Sequence, residues 1–277
     1  MRRRDVMRAV ASALDVDRFP FRVYSSHGPS AKVRAGGEQG ASATPPLPIV
    51  LVHGIGMSHR YFARLHREFA GSRDVHALDL PGFGRFGRPA DPLPVERMAT
   101  LIAGALSRLG VSRAVLVGHS MGAQWVVELA RQRPDLVESV VLIGPVVDDA
   151  HRTLAAQARA MALETLAETP VVNTIVLTDY LRCGMPWYLT QLRHMLAYPI
   201  EDRVAELDVP VLVMRGGNDP VAGLDWCRRL RLRASAATLV VVPGKRHVVQ
   251  FTAPRAVAAA IDAFLAATRP TSDAEAR

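Results

Sequence analysis

Six short, mostly apolar runs constrain this chain more than any other feature: Ile49-Val50-Leu51-Val52, Val75 to Leu80, Ala114 to Val117, Val140 to Ile143, Val211 to Met214 and Leu239 to Val242. A strand with no polar face has to be covered on both sides, which is the situation of a central parallel strand. Helical periodicity separates most of the runs, at 58–70, 94–109, 121–132 and 254–267. Strand and helix in alternation specify a parallel α/β sheet with helices on both faces. Phe21 to Ser25 alternates like one more strand, ahead of a Gly, Ser, Ala and Pro stretch at 34–48 that reads as a surface loop. One interval breaks the rhythm: about sixty residues separate the run ending near Val146 from the one starting at Val209, and they carry helical patterns without a buried strand. The expected division is a polar, Arg-rich lead over 1–20, a core over 21–146 and 206–277, and an inserted helical unit over 147–205.

Composition removes several function classes. With 49% hydrophobic and 22% charged residues, and no apolar run near the roughly 18 residues a span needs, the chain reads as globular and not transmembrane. The formal charge of +8 raises the question of nucleic acid, but the cations are scattered singly apart from Arg2-Arg3-Arg4 and the stretch from Arg228 to Arg233. No aromatic residues interleave with them as a single-strand platform requires, so nucleic acid is not an expected partner. Cys183 and Cys227 lack the spacing of a disulfide framework or a zinc site, which points to free thiols in a reducing, cytoplasmic setting. No His, Asp, Glu and Cys cluster has metal-ligand spacing, and Gly82-Phe83-Gly84 lacks the third glycine of a dinucleotide loop, so neither metal nor cofactor is expected.

The chemistry concentrates in a few loops. Gly118-His119-Ser120-Met121-Gly122 follows the run Ala114 to Val117 and opens a helical pattern, the context in which a G-x-S-x-G serine projects from a strand-to-helix turn. A serine hydroxyl is a weak nucleophile until a base takes its proton, and the base needs a third group to fix its tautomer. His247, in the loop after the last strand run, is the candidate base. His27, His59, His66, His151 and His194 fall in surface or helical contexts; His76 reads as structural, and His119 points elsewhere on its tight turn. Asp219, in Arg215-Gly216-Gly217-Asn218-Asp219-Pro220, is the candidate acid because Ser120, Asp219 and His247 then follow the chain order of this motif class; Asp148 or Asp149, after the preceding strand, is the rival. The backbone N–H groups of Met121 and of Ile55, in His53-Gly54-Ile55-Gly56, are the candidate oxyanion donors.

These motifs, with Asp79-Leu80-Pro81-Gly82-Phe83-Gly84 and Gly217-Asn218-Asp219-Pro220, resemble the α/β-hydrolase superfamily over about residues 21–267. The similarity is to the branch with a helical cap between the sixth and seventh strands, which holds carboxylesterases, lactonases, carbon-carbon bond hydrolases and cofactor-free haloperoxidases. It implies an α/β fold with a mainly parallel eight-stranded sheet, and Asp79 in a structural role. Ser120 disfavours the members with an Asp nucleophile, and Val248 stands where carbon-carbon hydrolases usually have an aromatic residue. The implied activity is hydrolysis of a small to medium, mainly apolar carboxylic ester or lactone through an acyl-enzyme. The alternatives are a carbon-carbon hydrolase of diketones or dienoates, a cofactor-free perhydrolase, and a non-catalytic receptor on the same fold. The partner is a small-molecule substrate, with no membrane partner, and the oligomeric state is left open. Tyr180, Arg182, Met185, Trp187 and Tyr188 in the insertion are the candidate substrate contacts; Arg182 facing the pocket would suit a carboxylate-bearing substrate.

Overall fold

In the central strands β3 (Ile49–Val52), β4 (Val75–Asp79) and β5 (Ala114–His119) every residue is buried, so the pleat sends alternate side chains into two separate cores. Val50 and Val52 join one cluster, Ile49 and Leu51 the other. The first is closed by α2 (Val95–Arg108), α3 (Met121–Gln132) and α7 (Leu224–Arg233), the second by α1 (Ala63–Phe69) and α8 (Pro254–Thr268). Helices therefore cover both faces, as the unbroken apolar runs require. The computed structural model describes residues 9–28, 46–148 and 152–268. With β1 (Val10–Val16), β2 (Phe19–Ser26), β6 (Val137–Ile143), β7 (Val211–Gly216) and β8 (Ala237–Val242), the sheet has eight strands in the order β1-β2-β4-β3-β5-β6-β7-β8. All neighbours from β4 to β8 run parallel, while β1 and β2 pair antiparallel. This is the α/β-hydrolase fold.

The N-terminal expectation needs correction. Residues 10–16, read from sequence as part of a polar lead, form an edge strand joined to β2 by a two-residue turn in which Asp17 and Arg18 both take positive φ, 51° and 69°. Such a turn matches the twist of a hairpin but usually carries Asn-Gly, and the Asp-Arg pair hides it. Only Ser12, Leu14 and Val16 lean inward, so the strand shows little hydrophobic signal. Residues 1–8 and most of the 34–48 stretch lie outside the described residues.

Between β6 and β7 the described chain is helical: α4 (Leu154–Ala167), α5 (Pro170–Cys183) and α6 (Met185–Ala197). Thr169 caps α5 through its side chain, with Pro170 in the first turn, and Gly184 takes φ +74° where α5 gives way to α6. Buried Asp179 ties α5 to the core. Its carboxylate accepts the Ser58 hydroxyl at 2.6 Å and Arg60 at 2.9 Å. Among the described residues no helix is long and apolar enough to cross a membrane.

Candidate active site

Parallel strands place the loops that follow them at one edge of the sheet, and in open α/β sheets that edge is where ligands bind. Ser120, Asp219 and His247 follow β5, β7 and β8, and the His53 to Gly56 loop follows β3. Ser120 sits between the last residue of β5 and the first of α3 with φ 56° and ψ −123°, a strained conformation for a residue with a β-carbon. Its N–H is held by the Ile143 carbonyl at 2.9 Å. The turn is as tight as it is because α3 rests on β3: a β-carbon at Gly122 would lie 2.3 Å from the Val52 carbonyl oxygen.

His247 is buried and its Nδ1 lies 2.9 Å from Asp219 Oδ2. The other carboxylate oxygen, Oδ1, accepts the N–H groups of Val221 at 2.8 Å and Ala222 at 3.0 Å. Burial alone would raise the Asp219 pKa, but the His247 charge and these hydrogen bonds carry it below the ordinary value. For His247 burial pulls the other way from Asp219, and the carboxylate wins, so the imidazole is more basic than usual. An ionised Asp219 accepts a hydrogen bond from Nδ1–H, which in the neutral imidazole leaves Nε2 as the acceptor. That atom is buried and has no hydrogen-bond partner among the described residues. Ser120 and His247 line one cavity of about 260 Å³, reached also by Gly54 and Ile55. Asp148, one of the two rival acids, is paired with Arg229 on α7 at 2.6 Å, and Asp149 lies outside the described residues.

The β3 loop is locked over the serine. A β-carbon on Gly54 would stand 2.9 Å from Ser120 Cβ. Gly54 N–H donates to Tyr61 Oη at 2.6 Å, Tyr61 Oη lies 2.8 Å from His119 Nδ1, and His119 Nε2 lies 2.9 Å from the His247 carbonyl. Only one proton assignment satisfies all three contacts. The phenol, having accepted from Gly54, donates to Nδ1, and Nε2–H donates to the carbonyl. Burial holds His119 neutral, well below the usual imidazole range. His53 works from the other side, with Nδ1 donating to the Gly54 carbonyl at 2.8 Å and Nε2 accepting Leu80 N–H at 3.2 Å. Three loops are thus joined through groups whose importance depends on long-range contacts. Among the described residues no backbone acceptor is recorded for the amides of Ile55 and Met121.

The insertion contributes differently from expectation. Tyr180 and Tyr188 line the cavity, their rings 5.1 Å apart. The other three candidates do not. Met185 is 65% exposed at the start of α6, and Trp187 is spent on packing against Gly82 and Phe83. Arg182 pairs with Asp179 at 3.1 Å and borders a separate polar cleft with Arg22, Arg60 and Arg85. In their place the wall is built from residues the sequence did not single out, among them Met161, Val172, Val176, Leu192, Met195 and Glu164. Glu164 is buried on α4, and its Oε1 accepts the His247 backbone N–H at 2.8 Å. Burial pushes its pKa up to about 7. No sequence signal could have found it, since eighty-three residues separate the pair. Asp79 closes β4 and accepts the His59 N–H at 2.7 Å, the structural role expected of it. The thiols of Cys183 and Cys227 are buried, which pushes both up to about 12, far from a reactive thiolate.

Residues 49–260 match the model of the alpha/beta hydrolase family. The chain is 26% identical over 241 residues to the (E)-2-((N-methylformamido)methylene)succinate hydrolase of Acinetobacter baylyi, covering 80% of this chain and 91% of that protein. It is 25% identical over 240 residues to the esterase YbfF of Escherichia coli, covering 79% and 92%. Among solved structures, the enol-lactonase of Burkholderia xenovorans LB400 superposes with a TM-score of 0.74 at 20% identity, covering 92% of this chain and all of that one (100%).

Proposed function

The chain belongs to the alpha/beta hydrolase family, and from that premise we propose that it is a serine hydrolase of small to medium, mainly apolar carboxylic esters or lactones. The observation that carries the reading is the Asp219–His247 pair at 2.9 Å, beside a cavity that Ser120 also lines from its strained turn. In the proposed mechanism His247 Nε2 takes the hydroxyl proton as Ser120 Oγ attacks the carbonyl carbon. The N–H groups of Ile55 and Met121 receive the developing oxyanion. Substrate binding is the step at which the serine–imidazole hydrogen bond tightens. The protonated imidazole, stabilised by Asp219, then gives its proton to the leaving oxygen, and water repeats the sequence to release the acid. The helices between β6 and β7 act as the cap that shapes the acyl pocket.

The substrate class rests on the lining, where Ile55, Met57, Val146, Leu192 and Val221 dominate and no Arg or Lys takes part among the described residues. The esterase relative from E. coli supports an ester. A carbon-carbon hydrolase acting on a carboxylate would need a cation in the pocket, and Arg182 is held away by Asp179. Turnover of p-nitrophenyl butyrate, and labelling of Ser120 by a fluorophosphonate, test the proposal. Labelling elsewhere, or full activity in Ser120→Ala, overturns it. A receptor that merely kept the site would bind without turnover.

A further inference from the structure

Apart from Ser120, its neighbouring histidines and the tyrosines, the polar lining of the cavity is gathered at one place. Glu164 and Glu168, four residues apart at the end of α4, both line it, with Thr165 and Asn173 beside them. Each carboxylate spends one oxygen on the protein: Glu164 Oε1 on the His247 N–H, and Glu168 Oε2 on the Thr169 N–H at 3.1 Å. The second oxygens, Glu164 Oε2 and Glu168 Oε1, are buried without a hydrogen bond. Arg246 Nη1 stands 3.5 Å from Glu164 Oε2 as an ion pair, but Arg246 is not part of the cavity wall. Asn173 directs an amide N–H to the Thr165 carbonyl at 2.8 Å and the Thr165 hydroxyl donates to the Met161 carbonyl at 2.9 Å, and neither residue hydrogen-bonds these two oxygens.

A buried carboxylate oxygen left without a hydrogen-bond donor is costly; Glu168 Oε1 has none and Glu164 Oε2 has only the Arg246 ion pair at 3.5 Å, so the missing component of this wall is a donor on its cavity side. We propose that this wall is a recognition subsite for a hydrogen-bond donor, hydroxyl or ammonium, carried by the substrate at a distance from the scissile carbonyl. It equally repels a carboxylate at that position, since like charge and desolvation act together there. The inference rests on the reading of the cavity as the pocket of a serine hydrolase and adds the chemistry of its far end. The raised pKa of Glu164 agrees with it: burial raises it most, and the negative charges of Asp219 and then Glu168 add to that.

The test uses p-nitrophenyl esters over a ladder of acyl lengths whose terminal carbon carries methyl, hydroxyl, ammonium or carboxylate. At one or more lengths kcat/KM for the hydroxyl or ammonium ester should exceed that of the methyl ester by about 10-fold or more, the scale of a hydrogen bond to a charged group. The carboxylate ester should fall below the methyl ester. In Glu168→Gln, and further in Glu164→Gln with Glu168→Gln, the donor-to-methyl ratio should drop toward one. Using a ratio cancels any effect that Glu164→Gln has on His247. A ratio near one at every length in the wild-type enzyme, a preference for the carboxylate ester, or a preference that survives the double substitution overturns the subsite. The hydrolase reading fails separately, through absence of Ser120-dependent turnover of the methyl esters.

Discussion

Ser120 is held at φ 56° by Ile143 below it and Gly54 above, so its strain, of order 1–3 kcal/mol, is offset by the packing around it. Ser120 and the His247 imidazole, itself fixed by Asp219, line the same cavity. Ser120→Ala is expected to lower kcat by about 10⁴- to 10⁶-fold, and Asp219→Asn by about 10⁴-fold through loss of the correct tautomer, in steady-state assays. Tyr61→Phe is a different kind of change, because it removes a hydroxyl that satisfies both Gly54 N–H and His119 Nδ1. Two buried groups lose their partner, and urea denaturation should register a loss of about 1–3 kcal/mol with lower activity from a loosened loop. Glu164 makes stability depend on pH. Its folded pKa, about 7, lies above the 4.5 of the free side chain, so the stability it confers is complete below about pH 4.5 and disappears as pH rises through about 7. The melting temperature should fall across that window, and Glu164→Gln should flatten the fall.

At the scale of elements, the strand–turn–helix from β5 to α3 shows why spacing alone carries so much. The helix can begin directly after the serine only if α3 lies against β3, and at Gly122 there is no room for a methyl group. Gly122→Ala should separate α3 from the sheet, at a cost on the order of a few kcal/mol, read as a lowered melting temperature together with loss of Ser120 labelling. The β1–β2 hairpin teaches the opposite lesson. Its strand is half exposed and its turn lacks glycine, so its only strong determinant is pairing with β2, which is not a local property.

For the whole molecule, two cores lie back to back on one sheet, and the helices between β6 and β7 pack on both, Trp187, Leu192 and Met195 on one and Val172 on the other, with buried polar contacts beside them. One of those contacts is Asp179, fully buried and shared by Ser58, Arg60 and Arg182. Asp179→Ala should leave the sheet and its two cores intact while releasing α5. Limited proteolysis should then cut within 154–197 before the sheet unfolds, and the variant should show a raised KM, because Tyr180 on the same helix lines the cavity.

The sequence by itself determined the doubly covered parallel sheet, because strands buried on both faces have no alternative to unbroken apolar runs. It also singled out Ser120 and His247, and Asp219 ahead of Asp148 or Asp149, because each follows its strand run within a short loop. The tertiary structure decided between Asp219 and Asp148, since both follow strands and only packing brings one of them to the imidazole while Arg229 takes the other. It alone placed Tyr61, His119 and Glu164, whose partners are far away in the chain. It also decided which faces of α4 to α6 meet the cavity. Helical periodicity there is weak, and an aromatic residue such as Trp187 satisfies burial equally well by packing on Phe83 as by lining a pocket.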